Sequence, residues 1–164
     1  TLCLIGMGNI AIEVAIRAKA FGMRVLAYRK AGAPSEHAEV KATLAEAVRD
    51  ADYVSMHTPF TPETDRMINA DAIACMKAGV VLVNTGRGKC VDADALVKAL
   101  EAGHVAAYAT DVWPSDPPPP DYPVLTAPNV IMAPHIGASS KENLLRIGDE
   151  VVALLEGFVK EGTL

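Results

Sequence analysis

With 164 residues and 51% hydrophobic content, the chain can bury one core but is too short for two ordinary domains. Its net charge of −5 comes from 20 acidic and 15 basic residues that are interspersed, which argues against a nucleic-acid partner. No apolar run approaches the roughly 20 residues that span a bilayer, and no signal peptide is recognisable, so we expect a soluble protein without a membrane partner. Three cysteines without disulfide or zinc spacing favour a reducing, cytoplasmic location.

Strands and helices are predicted to alternate along the chain. The apolar pattern and the turn residues predict six strands, over residues 2–5, 23–28, 53–57, 80–84, 105–109 and 130–133. Between and after them they predict helices over 9–21, from about 43, from 69 to 79 and over 92–102, and a final helix to about 156. Two capping boxes are predicted, at Thr43 with Glu46 and at Ser139 with Glu142.

A proline-rich segment interrupts this alternation. Residues 113–128 hold seven of the 11 prolines, with four in a row at 117–120, so the segment can be neither helix nor central strand. We interpret it as an ordered loop or a surface excursion. The remaining pattern, apolar strands alternating with helices, predicts an α/β fold with a doubly wound parallel sheet between two helical layers, that is, a Rossmann fold. In such sheets ligands bind beyond the carboxyl ends of the strands.

A glycine-rich turn stands between the first strand and the first helix. Gly6 permits the tight turn, Gly8 lets the backbone approach a pyrophosphate, and Ala11 takes the third small position of a dinucleotide fingerprint. The following residues, Asn9 and Ile10, open a helix whose free amides suit an anion. A glycine-rich turn without a ligand is the ordinary alternative, which the strand and helix on either side make less favourable.

Basic residues follow the second strand, where an NAD-binding sheet usually carries an acidic residue for the ribose hydroxyls. Arg29 and Lys30 stand there instead, and would attract the additional phosphate of NADP. A solvated basic turn is the alternative. The sequence therefore favours NADP, with NAD also compatible.

Three residues that are far apart in the sequence, each after a predicted strand, are candidates for an active site: Arg87, Asp116 and His135. A 2-oxo acid reductase needs a cation for the substrate carboxylate, an acid that protonates the carbonyl oxygen and a carboxylate that orients this acid. Arg87, His135 and Asp116 can fill these roles in that order. Taken singly, each has an ordinary structural explanation, and their joint position at strand ends is what favours function. No serine-hydrolase elbow and no metal-ligand spacing of the histidines is present, so no metal is expected.

Taken together, these motifs resemble the D-isomer-specific 2-hydroxyacid dehydrogenase family, which includes glyoxylate/hydroxypyruvate reductases, phosphoglycerate dehydrogenases and formate dehydrogenases. The resemblance covers nearly the whole chain. It rests on the fingerprint and on four further segments, His57-Thr58-Pro59 with Glu63-Thr64, Asn84 to Gly88, Asp111-Val112, and Pro134 to Gly137.

The resemblance implies roles for individual residues. Arg87 would hold the substrate carboxylate, His135 would donate the proton and Asp111 would contact the nicotinamide carboxamide. Further residues would line the cofactor: Asn9 and Ile10 at the pyrophosphate, and Thr58, Pro59, Thr64, Thr85 and Gly137 elsewhere.

Two positions depart from the family. Asp116 replaces the usual Glu and is one methylene shorter, so its hydrogen bond to His135 would be longer or differently angled. Arg29 replaces the common Asp, which favours the reductase branch.

The resemblance also implies a two-domain subunit that pairs into a homodimer when full length. We expect residues 1–164 to be the cofactor-binding domain of such a subunit, a fragment without most of the substrate domain, which alone binds cofactor weakly and turns over little substrate. The leading hypothesis is hydride transfer between NADP and a small 2-oxo or D-2-hydroxy acid. The alternatives are a regulatory module that senses nicotinamide nucleotides without catalysis, and the phosphoglycerate or formate dehydrogenase branch of the family.

Overall fold

The computed structural model describes residues 1–30 and 32–160. One parallel seven-stranded sheet runs through the chain in the order β3-β2-β1-β4-β5-β6-β7. The strands are β1 Leu2–Ile5, β2 Val25–Tyr28, β3 Glu39–Lys41, β4 Tyr53–Met56, β5 Val80–Asn84, β6 Val105–Thr110 and β7 Val130–Met132. Because β1 lies between β2 and β4, the strand order reverses there, which makes its carboxyl end the expected ligand-binding crevice.

The described residues form five α-helices, four in the first unit and one in the second. They are α1 Asn9–Ala20, α2 Leu44–Val48, α3 Ala70–Ala74, α4 Ala93–Glu101 and α5 Lys141–Lys160. Two short 3₁₀ turns lie at Gly88–Cys90 and Pro123–Thr126, the second inside the proline-rich loop. The described residues separate into two compact units, Thr1–Pro134 and a second one that begins at His135.

The core of the first unit has two sides because successive side chains of a strand face opposite ways. Leu2 and Leu4 of β1 pack with Ala11, Ala15 and Ala18 of α1 on one face. Cys3 and Ile5 pack on the other face, in a larger cluster to which α2, α3 and α4 contribute. The alanine face of α1 lets that helix lie close against the sheet. The predicted α/β fold with helices on both faces of a parallel sheet is confirmed.

The most important difference from the prediction is β3, which was not predicted. Its three residues alternate two charged side chains with Val40, a pattern too short and too polar to signal a strand. Glu39 accepts hydrogen bonds from Arg24 at 2.7 Å and from Lys41. The bond from Arg24, the residue before β2, adds to the backbone pairing that joins the edge strand to β2. A charged edge also discourages pairing with other chains.

Helix boundaries provide further corrections. The helix expected to run to residue 79 ends at Ala74, and its predicted cap Asn69 does accept from the Ala72 amide at 2.9 Å. The capping box of Thr43 and Glu46 is confirmed at α2. The second box is wrong by one residue, because Ser140 rather than Ser139 accepts from the Asn143 amide, at 3.2 Å.

Helix α5 in the second unit is 20 residues long rather than ending near 156. Many of its apolar side chains are exposed, including Leu145 and Val159. None of the helices in the described ranges combines the length and the apolar content that crossing a membrane requires.

Candidate functional site

Gly6 forms the turn directly after β1. Its φ is +95°, and a Cβ at this position would lie 2.8 Å from the backbone oxygen of His57. Its amide donates to the Tyr28 oxygen at 2.8 Å. A side chain at this position would be both strained and blocked, so the close approach of β1, β2 and β4 at this edge requires glycine.

The N-terminus of α1 follows this turn without a capping side chain. Gly8 occupies the N-cap position, and the first turn contains no acidic residue. A Cβ on Gly8 would meet nothing within 4 Å, so the backbone faces open space. Ala11, the third small residue of the fingerprint, is fully buried. The first amides of the helix are therefore available to an anion, which the helix dipole also favours.

A cavity of about 570 Å³, here cavity A, opens beside this helix end. It is lined by Gly8, Asn9, Ile10, Ala11, His57, Thr58, Pro59, Thr85, Gly86 and Arg87. The cavity thus joins the turn after β1 to the loops after β4 and β5. Seven of the predicted site residues share it: Gly8, Asn9, Ile10, Thr58, Pro59, Thr85 and Arg87.

The turn that carries Arg87 is held by a buried asparagine. Asn84 at the end of β5 donates from Nδ2 to the Arg87 oxygen at 3.1 Å and accepts from the Gly86 amide at 3.0 Å. A Cβ on Gly86 would lie 2.9 Å from the oxygen of Thr58. This packing fixes the backbone of the turn while the Arg87 side chain remains exposed, so the guanidinium can meet an incoming anion.

Trp113 links this turn to the end of β7. A Cβ on Gly88 would lie 2.3 Å from the carbonyl carbon of Trp113, so the two backbones are in direct contact. The indole Nε1 of Trp113 donates to the Ala133 oxygen at 3.2 Å. One residue therefore connects the Arg87 turn with the strand that leads towards His135 in the sequence.

A second cavity of about 380 Å³, here cavity B, lies on the β2 side of the glycine turn. It is lined by Gly6, Tyr28, Arg29, Lys30, Thr58, Pro59, Thr61, Glu63, Thr64 and Met67. Thr58 and Pro59 border both cavities. The predicted residues Gly6, Arg29, Lys30 and Thr64 are thus brought together here.

Thr64 has a structural role in cavity B. Its hydroxyl donates to the Pro59 oxygen at 2.7 Å and accepts from the Thr61 amide at 2.8 Å. These bonds close the loop after β4 into a compact turn. The Thr64 hydroxyl therefore already has hydrogen-bond partners within its own loop. The predicted ligand contact of Thr64 would use this same hydroxyl.

Asp111 follows β6 and carries a polar atom without a partner. Its Oδ1 is buried and makes no hydrogen bond within the described part of the chain. The adjacent turn is fixed, because Thr110 Oγ1 lies 2.9 Å from the Val112 oxygen and accepts from its amide at 3.1 Å. A buried carboxylate oxygen left unsatisfied is costly, so this atom is suited to a donor from a ligand.

Asp116 lines neither cavity A nor cavity B. It borders a separate, mostly apolar cavity of about 500 Å³ together with Trp113, Leu125, Met132 and Pro134. The structure therefore does not bring Asp116 into the cavity of Arg87.

His135 and Gly137 belong to the second unit. His135 has a φ of +55°, a left-handed conformation that costs a residue other than glycine about 1 kcal/mol or more. The Ser139 amide donates to the Ile136 oxygen at 2.9 Å and closes a turn around Gly137. Strained backbone of this kind is often found at functional positions.

The sequence did not assign roles to His57 or Glu63, although both lie in a segment quoted for the resemblance. His57 lines cavity A, and its Nε2 lies 2.9 Å from the Ser55 hydroxyl. Burial lowers the pKa of His57 below its usual 6.5, which favours the neutral ring. The available signal was that His57 directly follows β4 and that Glu63 lies in the loop after it, because ligands meet the carboxyl ends of such strands.

Comparison with known proteins decides the family. Residues 1–137 match the family model described as the D-isomer specific 2-hydroxyacid dehydrogenase, NAD binding domain. The chain belongs to this family. It is 42% identical over 161 residues to a glyoxylate reductase of Korarchaeum cryptofilum, covering 96% of the chain and 48% of that protein. It is also 42% identical over 154 residues to a hydroxypyruvate reductase of Thermotoga maritima, covering 93% of the chain and 50% of that protein.

Solved structures agree with the fold. The NAD-dependent formate dehydrogenase of Staphylococcus aureus, determined in complex with NAD, superposes with a TM-score of 0.86 at 35% identity. The match covers 98% of this chain and 48% of that one. The chain thus spans about half the length of the curated relatives it matches.

The residues present fit a nicotinamide dinucleotide. The uncapped start of α1 and the open space at Gly8 suit a pyrophosphate, and the unsatisfied Oδ1 of Asp111 suits an amide donor. Across residues 1–30 and 32–160, no group of three or more His, Cys, Asp or Glu side chains is arranged to hold a metal ion.

Proposed function

We propose that this domain supplies the cofactor half of an oxidoreductase that transfers hydride between a nicotinamide nucleotide and a small 2-oxo or D-2-hydroxy acid. The observation that carries the proposal is cavity A, where the anion-binding start of α1 and the Arg87 turn border one space. The names of the relatives support the substrate class, because glyoxylate and hydroxypyruvate are both small 2-oxo acids.

We propose NADP as the preferred nucleotide. Arg29 and Lys30 line cavity B, next to Gly6, and no acidic residue follows β2 directly. An acidic residue at that position would hold the ribose hydroxyls and repel a 2′-phosphate, whereas two cations attract it.

Each proposed role follows from the chemistry of its side chain. The guanidinium of Arg87 holds the substrate carboxylate through paired N–H donors. Asp111 Oδ1 accepts from the carboxamide and so orients the nicotinamide ring. Bound at this site, the reduced cofactor supplies the hydride that the carbonyl carbon accepts. His135 donates a proton from a ring nitrogen to the carbonyl oxygen, and Asp116 orients that ring from its shorter side chain.

The mechanism is tested in the subunit that contains this domain, with NADPH and a panel of 2-oxo acids. His135→Ala should lower kcat by about a hundredfold or more, because general acid catalysis contributes about 10²–10⁴-fold. Arg87→Gln should mainly raise KM for the acid. His37→Ala is the matched control, since His37 borders neither cavity A nor cavity B.

Unchanged turnover in His135→Ala contradicts the mechanism. Tight nucleotide binding without turnover of any acid would instead favour the regulatory module that senses nucleotides.

A further inference from the structure

An ion pair connects two loops that border cavity B. Lys30 Nζ, after β2, lies 3.0 Å from Oε1 of Glu63, in the loop after β4. The two side chains are 79% and 60% exposed, so the pair is at the surface of the cavity and accessible to a ligand that enters it. The two residues are 33 positions apart in the sequence, and only the sheet order brings them together.

The two basic residues after β2 are thus in different states. Lys30 is engaged by Glu63, whereas half-buried Arg29 has no ion pair or hydrogen bond from its side chain to other residues that the structure describes. The hydrogen bond from Lys30 holds the pKa of Glu63 at about 2, so this carboxylate is ionised at neutral pH. Cavity B therefore presents two cations and one anion to a nucleotide.

We propose that Glu63 determines cofactor specificity by holding Lys30, so that it limits how strongly the domain prefers a 2′-phosphorylated nucleotide. The inference rests on the proposed function, with the adenosine end of the nucleotide in cavity B. A 2′-phosphate must compete with Glu63 for Lys30, whereas a nucleotide with free ribose hydroxyls leaves the ion pair intact. The competition costs affinity for NADPH alone.

The expected size follows from the strength of exposed ion pairs. The free energy that an exposed ion pair contributes is small, and its loss corresponds to about a two- to fivefold change in a binding constant. Removing Glu63 should therefore tighten NADPH by about two- to fivefold and leave NADH unchanged. The side chain is exposed, so Glu63→Gln should fold as the wild type does.

The first experiment titrates the chain with NADPH and NADH in parallel. Wild type, Glu63→Gln and the control Glu13→Gln are compared; Glu13 forms an equally exposed ion pair with Arg17 on α1 and borders neither cavity. Tighter NADPH binding in Glu63→Gln alone, with NADH unchanged, is the expected result. No change, weaker NADPH binding or equal tightening of both nucleotides overturns the inference.

A double-mutant cycle distinguishes two effects of Glu63, its ion pair with Lys30 and its direct repulsion of the 2′-phosphate. In a Lys30→Met background, Glu63→Gln should no longer improve NADPH binding, because there is no lysine to release. A gain that persists in this background overturns the inference. If the wild type binds neither nucleotide, the proposed function itself fails, whereas wild-type binding with an inert Glu63→Gln rejects only the role of Glu63.

Discussion

Gly88 is the residue at which the Arg87 turn touches the backbone of Trp113. A Cβ there would lie 2.3 Å from the Trp113 carbonyl carbon, which no backbone tolerates without moving. Gly88→Ala should therefore lower the free energy of unfolding by about 1–3 kcal/mol, as overpacked substitutions do. Urea unfolding measures the loss.

Gly8→Ala is the matched control for this substitution. The φ of Gly8 is −87°, and a Cβ there meets nothing within 4 Å, so stability should stay within about 1 kcal/mol of wild type. The methyl group would nevertheless stand in cavity A and should weaken nucleotide binding. Equal stability of the two variants contradicts the packing described for Gly88.

His57 should titrate below pH 6.5. Burial disfavours its charged form, so the folded protein binds this proton less readily than the unfolded chain. Stability should thus decrease as the pH falls from 6.5 towards the lower pKa of the folded state. An NMR titration of the ring protons, assigned with His57→Gln, measures the value. A midpoint at or above 6.5 contradicts the prediction.

The sequence predicted those residues of the candidate site whose backbone conformation matters most. Gly6 and Gly8 were predictable because a tight turn and an open helix start require glycine. Glu63 was not assigned, because its importance depends on Lys30, a partner 33 positions away. The missing hydrogen bond of Asp111 Oδ1 likewise depends on how β6 and its loop pack.

At the scale of elements, α2 depends strongly on its capping box. The helix has five residues, so the bonds between Thr43 and Glu46 satisfy a large share of its free amides. Thr43→Ala should lower the free energy of unfolding by about 1 kcal/mol. Thr126→Ala, at the exposed last position of the second 3₁₀ turn, is the control and should cost less. Equal effects on urea unfolding would contradict this role.

Elements with a clear apolar pattern or capping residues were predictable, whereas the short polar strand β3 was not. The apolar pattern of β1 and β5 defines those strands at the observed residues. β3 was missed because two of its three residues, Glu39 and Lys41, are charged, so the sequence shows no apolar run there. The start of α5 was placed one residue early because Ser139 and Ser140 both fit an N-cap, and only the backbone geometry separates them.

At the scale of the whole molecule, the order of the strands creates the candidate site. β2, β1, β4, β5 and β6 are neighbours in this parallel sheet, so the loops at their carboxyl ends lie along one edge. Arg29, Gly8, Thr58, Arg87 and Asp111 come from these five loops. The sequence predicts where each loop follows its strand, and the preference for right-handed crossovers restricts the possible topologies. The cavities could not be predicted in this way, because residues far apart in the sequence pack together to form them.

The central claim is that a nicotinamide nucleotide binds along this edge of the sheet. Amide chemical shifts measured by NMR during titration with NADPH test it most directly, because they also report weak binding. The largest shifts are expected at residues 6–11, 57–59, 85–87 and 111–112. The cavity lined by Asp65, Arg66, Lys89 and Tyr122 should remain unperturbed. Shifts confined to that cavity, or no shifts at residues 6–11, would contradict the account.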